Sequence, residues 1–365
     1  MFFLISILVG IFSYFEYHLS KIFKLRVFLL LIVGIFFFIL FGYNSYSPDL
    51  ENYKIHYDNF DQEYIKLRVE PAILMLMKVS QYYGLSFQGY QILFAFLTLS
   101  LFIFSIFKYS PLPIFVLFNF YFIPFFPDIT QIRFFLGFSI FLFSLSYYQK
   151  NKLVYYLLLI LSSMCHISLS ILILFPIFRN FQFFKNQVSS NVIILTLSIL
   201  IMTIQKSAIV PLVFLFSDKH DLYLESNDQT QIGTLVLFIP FFIINNIIIF
   251  LDNKYSSRFE ILLEKKYLLN MKLLVDLIRF SNFVILFQLF VRDFSRINYN
   301  VYVIVIIYFT YIIYYYKNRS KLIASFVIAA VILYNLLLYY VQFYMLNNFQ
   351  YFKVINETYL SNYLF

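Results

Sequence analysis

The chain has no tryptophan, one cysteine, seven glycines and nine prolines in 365 residues, and only 12% of those residues are charged. A single cysteine, Cys165, excludes an internal disulfide and a thiolate metal cluster. So few glycines and prolines exclude collagen-like and disordered chains. Soluble domains carry roughly 25% charged residues. A water-soluble globule could not cover the 62% that is apolar or aromatic here, and the mean hydropathy of +0.81 agrees. Also missing are G-x-x-x-x-G-K-[ST], H-E-x-x-H, G-x-S-x-G and paired Cys-x-x-Cys. ATP-driven transport, zinc proteolysis and serine-hydrolase chemistry therefore lose support.

What is present is a series of apolar runs, at 2–18, 27–43, 88–107, 112–126, 131–148, 152–165, 167–179, 190–205, 232–251, 268–290, 300–316 and 322–344. A helical span needs about 20 residues. The pattern predicts an all-α, polytopic helical membrane protein of about 11–12 spans, folded as one integral membrane domain over 1–365. The formal charge of +9 is scattered between the runs rather than gathered in a patch, so it argues for membrane orientation and against nucleic acid.

Short loops rich in Lys and Arg stay in the cytoplasm. Lys21, Lys24 and Arg26 follow the first run, which places the N-terminus outside. Alternating the later runs puts Lys108, Lys150, Lys152, Arg179, Lys185, the basic stretch 254–266, Lys317, Arg319 and Lys321 on the inner side. Outside lie the polar loop 44–86, Asp128, the loop 206–231, Asp293 and Glu357, where acids outnumber bases. Keeping this parity requires 152–179 to turn back near Cys165-His166 as a re-entrant hairpin. Irregular backbone at that depth is tolerated only where protein or a wet cavity surrounds it, so a cavity is expected at His166. Residues 70–86, opening Glu70-Pro71, predict an interfacial helix on the outer surface.

Ionisable groups in or beside spans are expensive and mark function by default. Arg133 begins the run 131–148 in Gln131-Ile132-Arg133, on the outer side where positive charge is disfavoured. It reads as an anion clamp, because a guanidinium grips phosphate in a fixed fork. A snorkelling, lipid-facing arginine is the plainer alternative. His166 could donate to a phosphate or act as acid or base, or be satisfied by a carbonyl at a helix break. Asp276 and Arg279 share a helix face and suit a mutual ion pair, with Arg279 kept as a candidate substrate contact. Arg292 and Arg296 make a basic spot in the acidic exterior that suits a pyrophosphate. In the loop around Asp49, Glu51 and Tyr53, carboxylates and tyrosines interleave as sugar recognition requires, and a carboxylate could deprotonate a sugar hydroxyl.

The order of these features resembles the EpsG family of polysaccharide polymerases, related to Wzy-type O-antigen and capsule polymerases. The resemblance rests on Asp49-x-x-x-Tyr53, Glu70, Gln131-Ile132-Arg133 and His166-Ile167-Ser168, and more loosely on Arg296-Ile297-Asn298-Tyr299. Gly42-Tyr43-Asn44 stand where the family commonly has an arginine, and Pro71-Ala72 follow Glu70 where a glycine is usual. The resemblance implies a GT-C-like glycosyltransferase in the bacterial cytoplasmic membrane. Its substrates would be undecaprenyl-pyrophosphate-linked oligosaccharides, and it would need no cofactor and no metal. A chain-length regulator and a flippase would be its further partners. Arg133, His166, Asp49 and Glu70 would be catalytic, and Arg292, Arg296, Tyr53, Gln131 and Arg279 would contact substrate. The rival readings are a lipid-linked oligosaccharide flippase, which should show two pseudo-symmetric halves, an O-antigen-ligase-type glycosyltransferase and a membrane acyltransferase.

Overall fold

The structure is a computed structural model that describes residues 2–19, 23–180, 191–193, 196, 229–262, 265–288 and 294–341. Arg292, Asp293, Glu357 and nearly all of the predicted run 190–205 and loop 206–231 lie outside the described residues. Among the described residues every regular element is helical. Four helices are long and apolar enough to cross a membrane: Phe23–Gly42, Phe87–Tyr109, Arg296–Tyr316 and Lys321–Tyr340. The protein is a polytopic helical membrane protein.

The chain divides into two compact units, Met1–His166 with Ile328–Phe365, and Ile167–Val327. The first unit begins with α1 (Phe2–Leu19) and α2 (Phe23–Gly42). The polar loop that follows is itself helical, in α3 (Leu50–Asp58), α4 (Glu63–Arg68) and α5 (Pro71–Tyr82). Pro71 opens α5, where a missing N–H costs nothing. Gly84, at φ +69°, ends it, with Leu85 N–H returning to the Ser80 carbonyl at 3.0 Å. The helix therefore stops four residues short of the predicted 70–86. Ser86 then caps α6 (Phe87–Tyr109) by accepting from the Gly89 amide at 3.2 Å.

The predicted runs 112–126 and 131–148 are broken into α7 (Pro113–Phe122), α8 (Phe125–Thr130) and α9 (Ile132–Ser144), with a 3-10 turn over Leu145–Tyr147. Breaks fall at Ile123-Pro124 and Gln131. Ile123, Phe125 and Phe126 are buried, so this irregular backbone is wrapped in protein, as a membrane interior demands. After the Lys150 turn, Asn151 caps α10 (Lys152–Cys165), accepting from Val154 N–H at 3.2 Å.

This unit has two chemically distinct ends. At one, Arg26 lies over Phe107 (5.4 Å) and Lys108 over Tyr147 (6.0 Å), near the Lys150 turn. Glu16, buried at the same end, accepts from the Ile114 and Phe115 amides at 2.8 and 3.0 Å and faces Arg26 at 3.7 Å. An anion at a helix N-terminus meets both the free amides and the helix dipole. Glu16 thus caps α7. At the other end the C-terminus of α2 meets the start of α6, where Gln91 donates to the Phe41 and Asn44 carbonyls at 3.2 and 2.8 Å. In the core between, Asn335 donates to Asn119, a polar link of the kind that joins helices in lipid.

The second unit opens with a 3-10 segment, Ile167–Leu174, and α11 (Phe175–Asn180). It continues in α12 (Gln229–Leu262), α13 (Lys265–Gln288) and α14 (Ser295–Tyr316), while α15 (Lys321–Tyr340) carries the chain back to the first unit. α12 runs past the predicted end at 251 and contains Pro240. Asn245 bonds to Ser281 (2.9 Å) and Asn282 (2.8 Å), locking α12 to α13.

Candidate active site

The 13 residues of α9 and the 14 of α10 rise only about 20 Å, whereas the 23 of α6 rise about 34 Å. Both short helices are anchored at the Lys150 turn. Their far ends, bearing Arg133 and His166, therefore stop within the depth of the unit rather than at its rim. Ser162 Oγ donates to the Gly137 carbonyl at 2.7 Å and fixes the antiparallel register of the two helices. That register brings His166 level with the first turn of α9, where its ring packs edge-on against Phe134 at 5.4 Å. The helix ends at Cys165, and His166 is buried in extended backbone at φ −158°, ψ 122°.

Arg133 is the second residue of α9, and its side chain is 16% exposed. Its Nη1 donates to Glu70 Oε2 at 2.5 Å, and Glu70 is 14% exposed. Glu70 is the residue before Pro71, so its extended backbone (ψ 146°) follows from the proline ring. The face of Tyr53 lies 5.5 Å from the guanidinium, and its hydroxyl accepts from the same group. One helical turn along α3, Tyr57 stacks on Tyr90 of α6 (4.9 Å, 30°) and donates to the Leu85 carbonyl at 2.6 Å. Tyr57 lies in the loop region, and burial, helped by the Asp58 carboxylate, raises its phenol above the ordinary value of 10.0.

The first unit thus brings together Arg133, Glu70, Tyr53 and, one residue along the packing surface, His166. Asp49 sits one turn before Tyr53, half-exposed, and caps no amide. Gln131, at the α8–α9 break, has a buried Oε1 with no partner among the described residues, and it does not cap α9. In the second unit, Arg279 pairs with Asp276 (3.3 Å) and Asp252 (3.9 Å), and Arg179 donates to Asp276 at 2.7 Å. Arg296 begins α14, and more than two turns of α13 separate Arg279 from that helix's end, so these arginines do not share a pocket. Among the described residues no group of three His, Cys, Asp or Glu is placed to hold a metal ion.

Two features escaped the sequence reading. Glu16 is concealed in an apolar run, and no local pattern announces that it meets α7 nearly a hundred residues away. Tyr90 is one of 33 tyrosines, and only its position in the first turn of α6, after a Ser cap, hints at the site.

The arrangement offers a cation held in place by one carboxylate, an aromatic face beside it and a histidine nearby. Such a site can bind an anionic group and place a hydroxyl near a carboxylate. No curated protein and no solved structure matches the chain. The sequence pattern of the EpsG family, a Wzy-type polymerase family, matches residues 27–356, which takes in every residue of the cluster, and the chain belongs to that family.

Proposed function

We propose that the protein joins undecaprenyl-pyrophosphate-linked oligosaccharide repeat units into a surface polysaccharide (O-antigen, capsule or exopolysaccharide) at the outer face of the cytoplasmic membrane. The observation that carries this reading is the Arg133–Glu70 pair beside Tyr53, at a helix break inside an apolar bundle.

In this reaction the acceptor hydroxyl oxygen attacks the anomeric carbon at the reducing end of the growing chain. The bond from that carbon to the diphosphate oxygen breaks, and the diphosphate leaves with the electron pair. Charge grows on the leaving group, and a preorganised guanidinium in a low-dielectric pocket stabilises it without reorganising. Arg133 carries that role. Glu70 neutralises Arg133 before substrate arrives. Once the diphosphate competes for the guanidinium, Glu70 is released to accept the acceptor's proton, with Asp49 the second carboxylate within reach of the same loop. His166 donates to or orients the diphosphate, and Tyr53 stacks on a sugar ring. Arg292 and Arg296 supply further positive charge for the lipid-linked substrate. Holding two lipid-borne substrates in line supplies much of the remaining rate.

The test is a deletion strain complemented with wild type or Arg133→Ala, with surface glycan separated by length. Wild type restores long polymer, whereas Arg133→Ala leaves single repeat units exposed outside at normal protein abundance. Long polymer from Arg133→Ala overturns the reading. Repeat units trapped inside the deletion strain would instead indicate a flippase, and unchanged chain length an acyltransferase.

A further inference from the structure

Tyr90 is wholly buried, and its hydroxyl has no hydrogen-bond partner among the described residues. A buried polar group left unpaired bears its full desolvation penalty, and buried tyrosine hydroxyls ordinarily find a partner. The ring cannot swing to seek one. It is stacked on Tyr57, whose own hydroxyl is fixed to the Leu85 carbonyl, and it lies edge-on to Phe94 at 5.7 Å. The hydroxyl is held within electrostatic range of Arg133, Tyr53 and Cys165.

The guanidinium it faces is in the same condition. Nη1 of Arg133 serves Glu70, but Nε is buried and has no hydrogen-bond partner among the described residues. Arg133 also stands in the first turn of α9, whose N-cap residue Gln131 provides no side-chain cap; the first bond to the cap carbonyl is from Phe135 N–H, at 3.1 Å. Uncapped first-turn amides and the helix dipole attract anions. A buried phenol, a buried N–H of a cation and an uncapped helix N-terminus are all donors; the first lies within electrostatic range of the second, and the second stands in the third. A multi-oxygen anion satisfies the three together, while Gln131 Oε1, also buried and unpaired, can accept from a ligand hydroxyl.

Two other buried polar side chains of this unit are taken up by bonds within it, at least in part, although Gln88 Oε1 and Gln91 Oε1 share the unpaired state. Asn119 is taken up by Asn335, and Glu16 by two amides of α7. Tyr308 in the second unit is likewise buried and unpaired, but the arginine in its range, Arg279, stands in mid-helix with two acids around it.

We propose that Tyr90 is a substrate-contacting residue whose phenol donates to a phosphate oxygen of the diphosphate received by Arg133 and the first turn of α9. This rests on the reading of the site given above and adds to it a residue of α6.

The test uses the full-length protein in detergent, with inorganic pyrophosphate as the probe. Tyr90→Phe removes only the hydroxyl and keeps the stacked ring. Because that hydroxyl bonds nothing among the described residues, the variant should unfold at or above the wild-type temperature. Its affinity for pyrophosphate should fall roughly tenfold, the value of one hydrogen bond to a charged group, and polymer yield should fall with it. A lower unfolding temperature shows that the hydroxyl serves the fold and overturns the proposal. Wild-type pyrophosphate affinity and polymer in Tyr90→Phe overturn it too. Arg133→Ala separates the two levels. If Arg133→Ala loses pyrophosphate while Tyr90→Phe does not, only the assignment of Tyr90 fails. If Arg133→Ala binds pyrophosphate as wild type does, the reading of the whole site fails.

Discussion

Arg133 and Arg279 are both half-buried arginines among apolar helices, each with a carboxylate partner and each within range of a buried, unpaired tyrosine. Nε of each is buried without a partner among the described residues, and their surroundings differ in charge balance and in the backbone beside them. Around Arg279 two cations meet two anions. Asp276 takes both Arg179 and Arg279, Asp252 lies at 3.9 Å, and Asn253 accepts from Nη2 at 3.0 Å. This network ties α11, α12 and α13 together in mid-helix, where no backbone amide is open. Around Arg133 there is one carboxylate, and the guanidinium stands in the uncapped first turn of a helix. A charge-balanced network on continuous helices supports packing. A cation beside an uncapped helix N-terminus supports binding.

The largest expected effect separates the two arginines. Arg133→Lys keeps the charge and loses the fork. Polymer per molecule of protein should fall by about 10²-fold, as for removal of a donor aimed at developing charge, with abundance little changed. Arg279→Lys should do the reverse, leaving polymer per molecule intact and lowering abundance and the unfolding temperature. Quantifying polymer and protein in the same cells checks both. Equal losses of polymer per molecule in the two variants would erase the distinction.

The carboxylates should divide the same way with smaller effects. Glu70→Gln removes the internal competitor for Arg133, so pyrophosphate affinity should rise severalfold while polymer falls. Asp276→Asn removes the carboxylate that Arg179 and Arg279 share, leaving Asp252 beside Arg279, and should destabilise the protein by ~1–3 kcal/mol, between the values for exposed and buried pairs, without altering pyrophosphate affinity. Titration and thermal unfolding of both purified variants decide the matter.

Much of the site was legible because membranes make charge conspicuous. Arg133 stands out against an apolar run, Glu70 is marked by Pro71, and His166 follows the small residues Ser162 and Ser163 at a place where the run must break. The family was legible from the order of those same residues. Length misled where tertiary contacts override hydropathy. The run 131–148 is matched by the helical stretch Ile132–Tyr147, but the run 112–126, read as one span, is interrupted at Ile123-Pro124, where surrounding side chains bury the irregular backbone. Of the loop 44–86 only the helix at 70–86 was legible; Leu50–Asp58 and Glu63–Arg68 are helical as well, and Tyr53 and Tyr57 of the first are buried in contacts that no local window reveals. Glu16 and Tyr90 were invisible for a related reason. Their meaning lies in partners distant in sequence, or in the want of one.

The smallest effect tests the support beneath Tyr90. Tyr57 holds the Tyr90 ring by stacking and is itself held by its bond to Leu85. Its phenol is raised above 10.0 by burial and then by Asp58. A group raised in the folded state contributes stability that is complete below the unfolded value and is lost as pH climbs through the folded one. Tyr57→Phe should therefore unfold below the wild type by about 1 kcal/mol at pH 8, the worth of one neutral hydrogen bond. The difference between the two proteins should shrink once pH passes 10 and ionisation takes the bond from the wild type as well. Lysines titrate in the same range but do so in both proteins, so the difference isolates the phenol. A gap that stays constant from pH 8 through 12 would show that Tyr57 acts through its ring alone, and Tyr90 would then be positioned by stacking without help from the Leu85 bond.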